Sequence, residues 1–111
     1  MKNVEILDEN KFADGKLILG KLEGFDLVGQ FGVFCNGGLN CCFGRKYLAD
    51  EARMELLNDE GLECVGIEVK KIESFIVDGF GIGIFYDSKL MEFYLDEDLG
   101  RENYEWQLRE G

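Results

Sequence analysis

The chain has 111 residues, with 23 acidic against 12 basic for a net charge of -11, and contains neither histidine nor proline. That length suits one domain, and the charge opposes direct contact with phosphate backbones or anionic membranes, so nucleic acid and lipid surfaces are poor partners. Without an imidazole, Ser-His-Asp and Cys-His nucleophilic catalysis are excluded, together with every metal site that needs histidine.

Hydrophobic residues make up 46% of the chain and aromatics 13%, enough for a core, so residues 1-111 read as one globular domain. The stretch from Met1 to Glu9 meets acidic side chains before any apolar run of signal-peptide length, and no segment approaches the ~20 apolar residues of a membrane helix. A cytoplasmic location is therefore expected, and with it four reduced cysteines. The charge is uneven. Residues 1-57 hold 9 acidic and 7 basic side chains, net -2, whereas residues 58-111 hold 14 and 5, net -9. Such a field speeds encounter with a basic protein.

In chain order, Val4-Leu7 and Lys16-Glu23 read as short strands around a polar turn at Ala13-Asp14-Gly15. Phe25-Phe34 is a third, with Phe25, Leu27, Phe31 and Val33 on one face by alternation. The segment from Gly32 to Lys46 then concentrates three of the four cysteines and four glycines. Four thiols suffice for a tetrahedral zinc, but Cys35, Cys41, Cys42 and Cys64 lack paired Cys-x2-4-Cys knuckles. Gly38 is followed by five residues before Gly44 and then Arg45-Lys46-Tyr47, so neither the spacing nor the hydroxyl of a phosphate loop is present. Cys42, ahead of a helix and near Arg45, is the sharpest enzyme-like candidate but has no base. The expectation is no enzyme, no metal and no cofactor. Asn36-Gly37-Gly38 reads as a connection, with Arg45 and Lys46 left as a weak anion site.

Lys46-Asn58 changes period: Leu48, Ala52 and Leu56 fall four apart with Tyr47 and Leu57 flanking, which predicts an amphipathic helix ended near Gly61. Asp50, Glu51 and Glu55 are assigned to its solvent side. Period two returns at Val65, Ile67 and Val69, with a break near Lys70-Lys71. A hairpin is expected at Asp78-Gly79, followed by the strand Phe80-Tyr86, a turn at Asp87-Ser88 and the strand Leu90-Leu95. Tyr104, Trp106 and Leu108 alternate with polar residues, so the tail reads as a final strand. The predicted fold is α+β: a curved antiparallel sheet, a meander or partial barrel, with one central helix on its concave face.

These features suit a protein that works by binding another. The expected function is a small acidic binding protein that inhibits or neutralises a basic, nucleic-acid-handling partner protein, as antitoxins, immunity proteins and anti-defence proteins of mobile elements do, with carboxylates standing in for phosphates. Its candidate contacts are Asp87, Glu92, Asp96, Glu97, Asp98, Glu102 and Glu105. The alternative is a small-molecule or nucleotide-binding module that uses the glycine-lined face at Gly81 and Gly83, with Tyr94 or Trp106 stacking on the ligand and Arg45 and Lys46 nearby. A homodimer is a further expectation, because Phe80-Tyr86 and Phe25-Phe34 are apolar on both phases and an exposed edge invites pairing.

Overall fold

A computed structural model describes residues 4-58, 66-76 and 79-110. Seven strands and two helices follow one another as β1 (Val4–Phe12), β2 (Gly15–Glu23), β3 (Phe31–Cys35), β4 (Gly38–Phe43), α1 (Lys46–Leu57), β5 (Ile67–Lys71), β6 (Phe80–Tyr86), β7 (Lys89–Tyr94) and α2 (Glu97–Glu110). All strand pairs are antiparallel, in one open sheet of order β1-β2-β6-β7-β4-β3-β5. Among the described residues no helix is long and apolar enough to cross a membrane.

Three hairpins build most of this sheet: β1-β2, β3-β4 and β6-β7. The order departs from a meander because β2 bonds to β6 along its length, and the β3-β4 hairpin joins on the far side through β4 and β7. The second hairpin turns at Asn36 and Gly37, whose φ angles of 53° and 84° are the left-handed values that Asn-Gly tolerates. What reads in the sequence as a connection is thus a turn followed by a strand.

Alternation along β2 sends Leu17 and Leu19 to one face and Ile18 and Leu22 to the other, and all four are buried. A strand covered on both sides reads as a nearly continuous apolar run. On the first face the two helices cover Val33, Phe43, Ile82 and Ile84, with Ala49 and Tyr104 as their buried contacts. On the second face Leu27 and Ile72 cover Cys42, Phe85, Leu90 and Phe93. The segments carrying those two lids are tied together by Leu27 N–H to Phe75 O at 2.9 Å and by Gly29 N–H to Ile72 O at 2.8 Å. Asp26 fixes the pair further, its Oδ1 accepting from the amides of Val28 and Phe75, each at 3.1 Å. The predicted strand Phe25-Phe34 is therefore a lid followed by the short β3, with Asp26 making only an isolated bridge to Ile76.

The tail is a helix, so the described residues hold two helices where the sequence predicts one. Gly100, Tyr104 and Leu108 recur every fourth residue on the side that meets the sheet, and Trp106 is 54% exposed, which breaks the apparent alternation. Asp96 starts α2, its Oδ1 accepting from the amides of Asp98 at 3.0 Å and Leu99 at 3.2 Å. Glu97 and Asp98 occupy the first turn and Arg109 the last, the charge order that the helix dipole favours. A Cβ at Gly100 would lie 2.8 Å from Ile82 Cγ2, so glycine here lets α2 settle onto β6. α1 matches its prediction in extent, with Ala49 its one fully buried residue. Of the predicted Asp78-Gly79 hairpin, Asp78 lies outside the described residues; β6 pairs with β2 and β7.

Candidate functional site

Both helices lie on the same face, α1 over β3, β4 and β5 and α2 over β6 and β7. With neighbouring strands about 4.8 Å apart, their axes stand roughly 12-14 Å from one another. Packed helices approach to about 8-10 Å, so a slot remains between them that is too narrow for a third helix. That slot is an open cleft of 830 Å³, within the range of ligand sites. Cys41 and Phe43 of β4 and Glu92 and Tyr94 of β7 form its floor, Leu48, Glu51, Ala52 and Glu55 its α1 wall, and Leu99, Asn103, Trp106 and Gln107 its α2 wall.

The local sequence explains each placement. Glu92 and Tyr94 are two apart on β7 and share a face, while Phe93 between them points into the opposite core. Leu99, Asn103 and Trp106 recur at helical spacing beside, not on, the face that Gly100 and Tyr104 bury, so Leu99 and Trp106 remain exposed along the cleft. Phe43 and Tyr94 meet edge to face, ring centroids 5.9 Å apart at 90°.

Among the described residues the carboxylates lining the cleft are Glu51, Glu55 and Glu92, and no lysine or arginine lines it. Glu92 Oε1 accepts from the Tyr94 hydroxyl at 2.6 Å, and its Oε2 accepts from Gln107 Nε2. Among the described residues none of the three carboxylates forms an ion pair; those present join Lys16 to Glu9, Lys46 to Asp50, Lys70 to Glu68 and Arg101 to Glu97. Glu92 and Glu55 act on the same spot from two sides. Burial pushes the Cys41 thiol up to about 12, and both carboxylates add to that. Burial likewise raises the Tyr94 phenol, again reinforced by Glu92 and Glu55. The cleft is thus negative and apolar together. No three potential metal ligands converge among the described residues.

The candidate acidic contacts divide among three places. Asp87 sits at the β6-β7 turn with φ 57°, its Oδ1 accepting from the Lys16 amide at 3.0 Å. Glu92 is in the cleft. Asp96, Glu97, Asp98, Glu102 and Glu105 all belong to α2 or its cap, and all are exposed. Of the alternative ligand residues, Tyr94 and Trp106 come together at the cleft. Gly81 and Gly83 do not join them. A Cβ on Gly81 would stand 2.1 Å from the Phe93 ring, and one on Gly83 3.0 Å from both Leu22 and Leu90. The protein's own side chains fill that face. Lys46 is engaged with Asp50 at 3.0 Å, and Arg45 precedes α1 without capping it through its side chain.

Cys42 is fully buried on the face opposite the helices, and burial raises its thiol well above the ordinary range, the reverse of what a nucleophile needs. Cys41 and Cys42 are free. The expectation of reduced thiols fails at Cys35, which is disulfide-bonded; Cys64 lies outside the described residues. Cys35 pairs with Ile67 across β3 and β5, at the sheet edge away from the cleft.

Of the cleft residues only Glu92, Tyr94 and Trp106 are site candidates in the sequence; the polar lining residues Asn40, Glu51, Glu55, Asn103 and Gln107 are not. Glu51 and Glu55 border the apolar stripe of α1 at i, i+4, a sign of a helix flank, but nothing local says that a second helix stands opposite. No family model matches the chain, and no curated protein or solved structure matches it either.

Proposed function

We propose that this chain is an acidic binding protein that engages a basic partner protein, and that it inhibits or neutralises a partner whose own ligand is nucleic acid. The observation that carries this reading is the outer side of α2. Asp98, Glu102 and Glu105 recur at i, i+4 and i+7, are exposed, and stand roughly 5-6 Å apart in a row. The opposite side of the helix holds it on β6 and β7 through Gly100 and Tyr104, so the row is presented on a rigid support. The unpaired carboxylates of the cleft lie next to it across Trp106. A row of fixed negative charge on a helix can occupy a surface that otherwise receives phosphates.

The partner is recovered by affinity capture from the source cell, and its affinity is then measured between about 50 and 500 mM salt. A drop of at least about tenfold is expected, together with a slower on-rate for the triple variant Asp98→Asn, Glu102→Gln, Glu105→Gln. Salt-insensitive binding that ignores the triple variant defeats the reading.

The cleft supports a second reading, a small-molecule module, since 830 Å³ with an aromatic floor would accept a ligand of drug size. The ligand would sit between the helices and not on the glycine face. A thermal shift with a metabolite, and none with basic proteins, reverses the ranking. The disulfide at Cys35 bears on location, because reducing compartments keep thiols free.

A further inference from the structure

The cleft between α1 and α2 has a chemistry narrower than general acidity. Glu92 lies on its floor with one neutral donor on each oxygen, the Tyr94 hydroxyl on Oε1 and Gln107 Nε2 on Oε2. A carboxylate oxygen has two acceptor positions, so one stays open on each. The two donors also hold the carboxylate in a fixed plane. Its charge has no cation beside it among the described residues, and Glu55 adds a second charge from the α1 wall.

A carboxylate with an acceptor position open on each oxygen can take two N–H groups of one guanidinium, whereas an ammonium is a compact point charge without that fork. The surroundings suit the same group. Trp106 stands half-exposed on the α2 wall above the buried floor of Phe43 and Tyr94, and a guanidinium stacks on such an aromatic face where an ammonium prefers water. Leu48, Ala52 and Leu99 line the slot with apolar surface for a methylene stem.

We infer that the cleft is an arginine-receiving slot, in which a guanidinium side chain of the basic partner protein bonds Glu92 through two parallel N–H groups while its stem lies between α1 and α2. This rests on the reading of the chain as a binder of a basic protein, and it names the side chain that anchors the complex.

The test uses three capped tripeptides, acetyl-Ala-Arg-Ala-amide and its lysine and citrulline counterparts, titrated into the full chain. Trp106 is the only tryptophan, so its fluorescence reports on the slot directly, with calorimetry as a second readout. The arginine peptide should give a saturable change, the lysine peptide one at least fivefold weaker, and citrulline, which keeps the shape without the charge, none at the same concentrations. Glu92→Gln should weaken the arginine peptide at least tenfold. Glu55→Gln, at an exposed position of α1, should weaken it about two- to threefold. Equal response to arginine and lysine, an unchanged affinity in both variants, or no saturable response overturns the slot. Silence toward the tripeptides, with the partner still bound in a manner sensitive to salt and to the outer row of α2, overturns the slot alone. Loss of both overturns the broader reading too.

Discussion

The Tyr94 hydroxyl donates to Glu92 Oε1 at 2.6 Å, along one strand and on the face that carries both helices. The ring is packed against Phe43 and only the hydroxyl turns toward the carboxylate. Tyr94→Phe therefore keeps the packing and removes one charge-assisted hydrogen bond. A loss of about 1-2 kcal/mol in denaturant unfolding is expected. An unchanged stability would mean that water serves the carboxylate equally well.

Alkaline pH should destabilise the fold. Burial, then Glu92 and Glu55, push the Cys41 thiol from its ordinary 9.0 up to about 12, and burial also raises Cys42 and Tyr94. Above pH 9 the unfolded chain releases thiol protons that the folded chain retains, so the folded state binds more protons and its stability falls as pH rises toward 12. The slope is up to about 1.4 kcal/mol per pH unit for each thiol. Urea midpoints at pH 8 and pH 10.5 check this, and Cys41→Ala should flatten the decline. Equal midpoints would contradict the burial of both thiols.

Where sequence periodicity met a single packed face, it was legible. α1 was readable from Leu48, Ala52 and Leu56, which pack on the first core, whereas β6 and β7, covered on both faces, were readable only as apolar runs bounded by turn signals. α2 was not, since its buried stripe begins with Gly100, which carries no hydrophobic signal, and the exposed Trp106 falls by chance between Tyr104 and Leu108. The cap was the usable sign: Asp96 followed by Glu97 and Asp98 opens a helix. β4 was hidden because Asn36-Gly37 is equally a loop and a hairpin turn, and the choice depends on Cys41 and Cys42 pairing with β7. Of the cleft, Glu92, Tyr94 and Trp106 were nameable from sequence, but their meeting with Glu51 and Glu55 follows from the strand order that separates the two helices, which is a tertiary fact.

Gly81 should tolerate no side chain. Its Cβ would stand 2.1 Å from the ring of Phe93, which is fully buried in the second core. Relieving that contact requires moving a packed aromatic, and Gly81→Ala should cost about 1-3 kcal/mol. A thermal unfolding series that includes Phe93→Leu is informative, because a smaller residue at 93 should rescue part of the loss. A Gly81→Ala protein of unchanged stability would reopen this face as a ligand surface.

Thiol counting tests the disulfide. Under denaturing, non-reducing conditions a bridge at Cys35 removes two of the four cysteines from titration, and Cys41 and Cys42 remain. In the native protein both should react slowly, since each is buried with its thiolate disfavoured. Four titratable thiols in protein isolated without reductant would restore the cytoplasmic expectation.

Asp96 controls both candidate surfaces through one cap. Its Oδ1 takes the first amides of α2, those of Asp98 and Leu99, which otherwise have no partner in the helix. Asp96→Ala should cost about 0.5-2 kcal/mol, with Asp96→Asn and Asp96→Ser close to wild type because either side chain still caps. The first turn is also where Leu99 enters the cleft wall and Asp98 begins the outer row. Fraying there should weaken a basic partner beyond what one lost charge explains, while Glu97→Gln, which removes a neighbouring charge and leaves the cap, should not. Hydrogen exchange at the amides of Asp98 and Leu99 separates the two effects: fast exchange in Asp96→Ala with wild-type exchange in Asp96→Asn assigns the loss to the cap, and slow exchange in both assigns it to charge.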